Sequence, residues 1–298
     1  MSRRALSATR AADLLSFLAA HPDEAFSYSQ LSRRLQINLA STHNLLMALT
    51  ECGYLTRSPR DRTFSLGPAL VAIGDAALRG NPAIDEARVQ MRGLSKELGL
   101  ETLAFVRAGT DALCIARAGP TQGPGKTVQV GQRIPLMAPL SSVFVAWAPA
   151  EEVELWLLRG GSSLRERRRQ REKLKLVRDR GFSVALEVAG RRQLGDLLSE
   201  MADDPHSETL RIEMRDVIKE LGLGKYQLGE GSATSHRIST ITAPIFDPLG
   251  QVELAITLQV FKQDVSSKSI EALGRRLLRV TRAISDVDAS DDSSDHGP

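Results

Sequence analysis

Apolar residues at Ala11, Leu14, Leu15 and Leu18 fall at helical spacing and predict a first helix over residues 8–20, stopped by His21-Pro22-Asp23. Ser27 and Gln30 then stand at capping-box spacing and open a short helix carrying Leu31 and Leu35. A third run, Thr42, Leu45, Leu46, Leu49 and Cys52, lines one side of a helix. Asn38 is placed to cap that helix and Gly53 to end it. A turn of about three residues separates the second helix from the third, the arrangement of a helix-turn-helix. Two short strands follow, residues 54–56 and 63–66, joined by Arg57-Ser-Pro-Arg-Asp-Arg62. A hairpin with so cationic a tip has the form of a wing that lies against phosphate while the helix enters the major groove.

Gly67-Pro68 starts a further helix with Leu70, Val71, Ile73, Gly74 and Leu78 as its apolar positions, and Arg79-Gly-Asn-Pro82 marks the domain boundary. Beyond it the pattern changes. An amphipathic helix over 84–98 ends at Gly99 and is followed by a hairpin over 102–107 and 112–117, then a strand at 126–130. A mostly apolar segment runs from 136 to 147. Helices are expected at 151–159, 164–180 and 208–221, a strand at 182–188, a hairpin over 238–246 and 252–261, and a last helix over 267–284. Helices flanking antiparallel hairpins predict an α+β fold for this second domain. The divisions read as 1–66, 67–82, 83–286 and an acidic, disordered tail at 287–298.

Composition narrows the class. At 298 residues, 42% hydrophobic and 25% charged, the chain has the make-up of a two-domain soluble protein. The net charge of +3 says little by itself, but residues 1–80 hold nine arginines, no lysine and six acids. No run approaches the ~18 apolar residues of a membrane span. Cys52 and Cys114 are far apart in apolar surroundings and read as buried free thiols of a reducing cytoplasm. His206 and His236 lack ligand spacing, so no metal is expected. Nucleophile elbow, P-loop and dinucleotide fingerprint are all missing, so no catalytic residue and no cofactor are assigned.

The segment from Ala8 to Leu78 resembles the winged-helix domain of IclR-type bacterial transcriptional regulators, whose pattern, roughly L-P-K-S-T-V-H-R-L-L-x-x-L-x-x-x-G-Y, aligns without gaps on Ile37 to Tyr54. His43, Leu45, Leu46, Leu49, Gly53 and Tyr54 match it, and Ser41 stands at the threonine. Phe64 to Leu70 resembles the lead into the family's linker helix. Leu39, Ala40 and Asn44 depart from the lysine, serine and arginine usual there. The segments from Leu94, Val130 and Ile241 are similar to parts of the family's GAF-like effector domain. Met137 replaces a histidine of that domain and Val143 a lysine, and the stretch from Glu187 to Ile241 is much longer than in relatives.

The resemblance implies a homo-oligomer, dimer or tetramer, that binds a double-stranded operator and responds to a small molecule, apolar or an organic acid. Ser27, Leu39, Ala40, Ser41, His43 and Asn44 become candidates for DNA contact, with Arg57, Arg60 and Arg62 on the wing. Asn44 suits a bidentate contact to adenine. For the effector, the resemblance points to Met137, Ala138, Ser141 and Ser142, with Phe105, Ile115 and Ile256 as walls. Two other readings stay open, a ligand-independent DNA-binder and an enzyme carrying a regulatory head. The basic run from Arg165 to Arg171 reads as an exposed, charge-laced helix.

Overall fold

The computed structural model describes residues 5–121, 128–187, 191–203, 207–220 and 235–292. The head is built from α1 (Leu6–Ala20), β1 (Phe26–Ser27), α2 (Tyr28–Arg34), α3 (Leu39–Glu51), β2 (Leu55–Arg57) and β3 (Thr63–Leu66). Its three short strands pair antiparallel in the order β1-β3-β2. Leu14, Phe17, Leu18, Leu31, Leu46, Leu49, Leu55 and Phe64 form one buried cluster, so all three helices and the wing share a single core. Next comes α4 (Ala69–Arg79), which buries none of its residues and leaves Val71 65% and Ile73 47% exposed.

The second domain opens with α5 (Pro82–Leu98). Asn81 caps this helix by accepting from Ile84 N–H at 3.0 Å, Pro82 sits where its missing N–H costs nothing, and Gly99 ends it at φ 64°. Six strands make an antiparallel sheet, β4 (Glu101–Ala108), β5 (Asp111–Ala118), β6 (Arg133–Pro135), β7 (Ser183–Leu186), β8 (Ser235–Phe246) and β9 (Val252–Ser266), in the order β6-β5-β4-β9-β8-β7.

Side chains alternate across this sheet and divide it into two faces. Ala104, Ala116, Ile241, Ala243, Leu254, Ile256 and Leu258 meet α5 and α10 (Ser267–Asp292). Leu103, Phe105, Cys114 and Ala255 pack instead under α6 (Ala150–Arg159), α7 (Leu164–Arg180) and the segment 136–147, which includes a short 3₁₀ turn, Ser142–Phe144. A third cluster joins Met137 and Leu140 to α8 (Arg191–Asp203) and α9 (Glu208–Glu220).

Several expectations change. The third strand is Arg133–Pro135 rather than 126–130; of that range, 126 and 127 lie outside the described residues, and 128–130 are not strand. No helix was expected where α8 runs. Helix α10 continues past Ile284 to Asp292, so the tail read as disordered is helical through that residue. Cys52 is exposed, not buried, because it caps α3 where the chain leaves the core; Cys114 is buried. His206 lies outside the described residues. Among those described, no helix is long and apolar enough to cross a membrane and no group of His, Cys, Asp and Glu could hold a metal.

Candidate nucleic-acid interface and effector cup

The α2–α3 turn is pinned from inside. Ser32 Oγ donates to Ile37 C=O at 2.7 Å, and Thr42 Oγ1 donates to Asn38 C=O at 3.0 Å, while Gln36 takes the left-handed φ of 51° that the sharp reversal requires. Asn38 Oδ1 accepts from Ser41 N–H at 2.8 Å. Ser27 and Gln30 form a reciprocal capping box at the start of α2. At the other end of α3, Tyr54 N–H reaches Leu49 C=O at 2.9 Å and Gly53 N–H reaches Thr50 C=O at 3.0 Å, a Schellman closure with Gly53 at φ 73°.

Held this way, α3 turns Thr42, Leu46 and Leu49 into the core and leaves Ala40, His43, Asn44 and Ala48 exposed. Leu39 is 51% exposed on the first turn, an apolar side chain suited to a thymine methyl. Ser41 is half-buried, and the His43 ring meets Tyr28 edge-on at 6.4 Å. Ser27 is above all a helix cap: its hydroxyl accepts from Gln30 N–H at 3.4 Å and lies 3.2 Å from Ser29 Oγ.

The wing tip closes through Ser58 N–H to Thr63 C=O at 2.8 Å and Arg62 N–H to Ser58 C=O at 3.0 Å, with Arg62 at φ 54°. Arg57, Arg60 and Arg62 are all exposed. The Arg57 guanidinium lies 5.7 Å from the Phe64 ring centroid, which fixes its stem, whereas Arg60 and Arg62 extend from the tip. Recognition helix and wing are joined at their roots, where Gly67 N–H donates to Tyr54 C=O at 2.7 Å.

The candidate effector residues do not all meet. Phe105 and Ala138 share the cluster on the α6–α7 face with Val143 and Phe144. Ser141, at φ 54°, leads into the 3₁₀ turn with buried Ser142, and that turn packs on β8 and β9. Met137 belongs to the third cluster, under α8 and α9. Ile115 and Ile256 lie on the opposite face, against α5 and α10, and cannot wall the same cup as Phe105. The candidate set mixed both parities of the strands, and a bulge between Ala104 and Phe105 shifts the β4–β5 register beside Ile115.

Polar residues that sequence reasoning passed over lie on the sheet face turned away from α5 and α10. Thr240 pairs in register with Gln259, and Thr242 with Thr257, all facing away from α5 and α10. The Thr242 and Thr257 hydroxyls are 2.9 Å apart. Gln259 is 4% exposed, and its Oε1 has no hydrogen-bond partner, a deficit that costs about 1–3 kcal/mol. Gln170 Oε1 of α7 is buried and unpartnered too. On the same face Arg117 pairs with the fully buried Glu101. A polar run in the middle of alternating strands looks in sequence like a solvent face; only the covering 3₁₀ turn shows otherwise.

The segment 136–147 over this face is firmly held. Trp156 Nε1 donates to Leu140 C=O at 2.8 Å, Arg159 to Leu136 C=O at 3.2 Å, and Arg178 to Ala146 C=O at 2.6 Å. Burial pushes the Cys114 thiol up to about 12, so it is inert packing. Burial, helped by Arg169, pushes Lys173 down to about 8.

A winged helix-turn-helix head joined by a helix to an α+β domain is the class of protein that this geometry defines. Residues 7–59 match the model of the IclR helix-turn-helix domain. The DNA-binding transcriptional repressor YiaJ of Escherichia coli is 29% identical over 129 residues, 42% of this chain and 45% of that protein, so the likeness spans less than half of the repressor. The crystal structure of an IclR transcriptional regulator from Alicyclobacillus acidocaldarius shares the fold at a TM-score of 0.67 and 19% identity, covering 96% of this chain and all of that one. An IclR homolog from Microbacterium hydrocarbonoxydans, complexed with 4-hydroxybenzoate, gives 0.61 at 17% identity over 94% of this chain and 99% of its own. Residues 7–59 thus carry an IclR-type helix-turn-helix domain, and the chain as a whole has the fold seen in solved IclR-type transcriptional regulators.

Proposed function

We propose that the chain is a cytoplasmic repressor whose operator affinity is set by a small organic effector. The observation that carries this reading is the exposed surface made by Leu39, Ala40, His43 and Asn44 beside Arg57, Arg60 and Arg62, an array fitted to one major-groove segment and its flanking phosphates. Two copies pair through α1 and the uncovered apolar side of α4, which sets two recognition helices on adjacent half-sites. The effector occupies the cup between Phe105, Ala138, Ser142 and the Thr242–Thr257–Gln259 stripe. The 4-hydroxybenzoate held by the structural relative supports an aromatic or other organic acid as its class. Met137, under α8 and α9, shapes the wall instead of touching the ligand. No catalytic role is assigned to any residue.

Fluorescence anisotropy with duplex DNA from the gene's own upstream region, over a salt series, tests the head. Asn44→Ala should lose discrimination against a changed site by roughly 1–3 kcal/mol while keeping non-specific binding. Arg60→Ala/Arg62→Ala should flatten the salt dependence by about one unit of slope per phosphate contact removed. Wild-type binding that vanishes near physiological salt and ignores sequence would rule the reading out.

A further inference from the structure

The head meets its own effector domain at a second place besides the linker helix. Helix α4 buries none of its residues and so supplies no packing that sets the angle of the head. The C-terminal end of α1 supplies it. A Cβ on Gly131 would lie 3.0 Å from Ala19 C, 3.1 Å from Ala20 N and 3.2 Å from Ala19 Cβ, so backbone rests on backbone with no side chain between. Gly131 holds φ 89°, a conformation that glycine adopts freely. Its turn is anchored to β5: Gly131 N–H donates to Cys114 C=O at 2.8 Å, and Cys114 N–H donates to Gln132 C=O at 2.9 Å. Helix α8 comes within 8 Å of α1, Cα to Cα. Gln132, 5% exposed, joins these two contacts. Its Nε2 donates to Leu198 C=O of α8 at 2.6 Å, and its Oε1 accepts from Gln129 N–H at 3.0 Å. A buried amide with both ends satisfied leaves turn and helix little freedom to part.

We infer that the turn 129–132 and α8 form an intrachain strut, which holds the head against its own effector domain and passes movement of the segment 136–138 to α1. Helix α8 rests on Met137 and Leu140, and Ala138, between them in sequence, lies on the α6–α7 face with Phe105. A line of contact therefore runs from that face through α8 and the turn to α1, and α4 has no part in it. Close-packed backbones transmit a displacement that a mobile side chain would absorb. With the strut closed, Ala40, His43, Asn44, Arg60 and Arg62 are exposed, so it orients the head and does not hide it. The docking stands on geometry alone, whereas the relay rests on the proposed effector reading.

The full chain carrying Cys52→Ser, Ala19→Cys and Gly131→Cys tests the docking. The two Cβ positions, 3.2 Å apart, lie a few tenths of an ångström inside the disulfide range of about 3.5–4.5 Å. Mild oxidation should therefore close a bridge within one chain, read by mass and by mobility on a non-reducing gel. Thiols that stay free, or bridges formed only between chains, overturn the docking. Ala19→Arg reads the same contact without strain at Gly131, since Ala19 is half-buried and outside the core of the head. With an unchanged circular dichroism spectrum it should speed hydrogen exchange across 129–132 and 191–203 while β8 and β9 stay protected. Unchanged exchange there also overturns the docking. Met137→Ala, which leaves a cavity beneath α8, tests the relay. It should speed exchange at residues 17–20 of α1 as well as in α8. It should also shift affinity for the upstream duplex by about threefold or more, and Ala19→Arg should abolish that shift, a non-additive cycle. Exchange confined to α8 and α9, or equal affinity shifts in both backgrounds, sinks the relay. Wild type that binds no duplex specifically fails the proposed function instead, and the bridge and exchange readings still judge the strut.

Discussion

At the residue scale the two cysteines are opposite cases. Cys52 caps α3 in solvent, whereas Cys114 is sealed on the α6–α7 face with its thiol near 12. In native protein at pH 8, Ellman's reagent should titrate one thiol per chain, and the second only after denaturation. Both were legible as free thiols. Their burial was not, since helical spacing continues one position past where the chain leaves the core. Lys173 gives a pH signature. Its folded pKa of about 8 lies below the ordinary 10.5, so the unfolded chain binds more protons between those values and stability rises with pH across that window. The penalty is fully present below about 8. Lys173→Met should therefore raise the thermal midpoint at pH 7, and the gain should shrink as pH approaches 10.5.

Elements were most readable where their ends carry chemistry. The Ser27–Gln30 box, the Asn38 cap and the Gly53 terminus are local devices, complete within a few residues, and the structure forms each of them. Asn38→Ala should cost the head about 1 kcal/mol in chemical denaturation, the usual loss for such a cap. What sequence could not supply was close approach between elements. A Cβ on Gly67 would sit 2.2 Å from Gly53 C=O, where helix and wing meet, and neither backbone can move aside without opening the Schellman closure. Gly67→Ala should destabilise the head by about 3 kcal/mol, at the upper end of ordinary substitutions, and weaken DNA binding with it. Strand β6 is only three residues at the sheet edge, too short to carry a pattern of its own. Helix α8 was legible and passed over: Leu194, Leu197, Leu198 and Met201 stand at helical i, i+3, i+4, i+7 spacing and form its buried side. The candidate effector walls fell on two faces for a related reason, because strand parity assigns a side chain to a face only once the register is known.

At the scale of the whole molecule, α8 and α9 form a separate small core over the segment 136–147. Leu194, Leu197, Leu198, Met201, Met214, Val217 and Ile218 pack on Met137 and Leu140. Two polar contacts fix this pair to the sheet: Gln132 Nε2 donates to Leu198 C=O at 2.6 Å, and Arg211 Nη2 reaches both Asp111 oxygens at 2.9 and 3.2 Å. Asp111 is 3% exposed, and its other basic neighbour, Arg133, stands at 3.9 Å. Arg211→Ala therefore leaves a nearly buried carboxylate with one distant counter-charge, a loss of about 1–3 kcal/mol. That energy binds one helical pair to the rest, so its loss should open the pair locally. Hydrogen exchange should speed up across 191–203 and 207–220 while β8 and β9 stay protected. The double change Asp111→Asn/Arg211→Ala removes the stranded charge and should recover part of the protection, because an unpaired buried charge costs more than an absent pair. Equal exchange in the single and double variants would mean that the apolar core alone holds α8 and α9 over Met137 and Leu140.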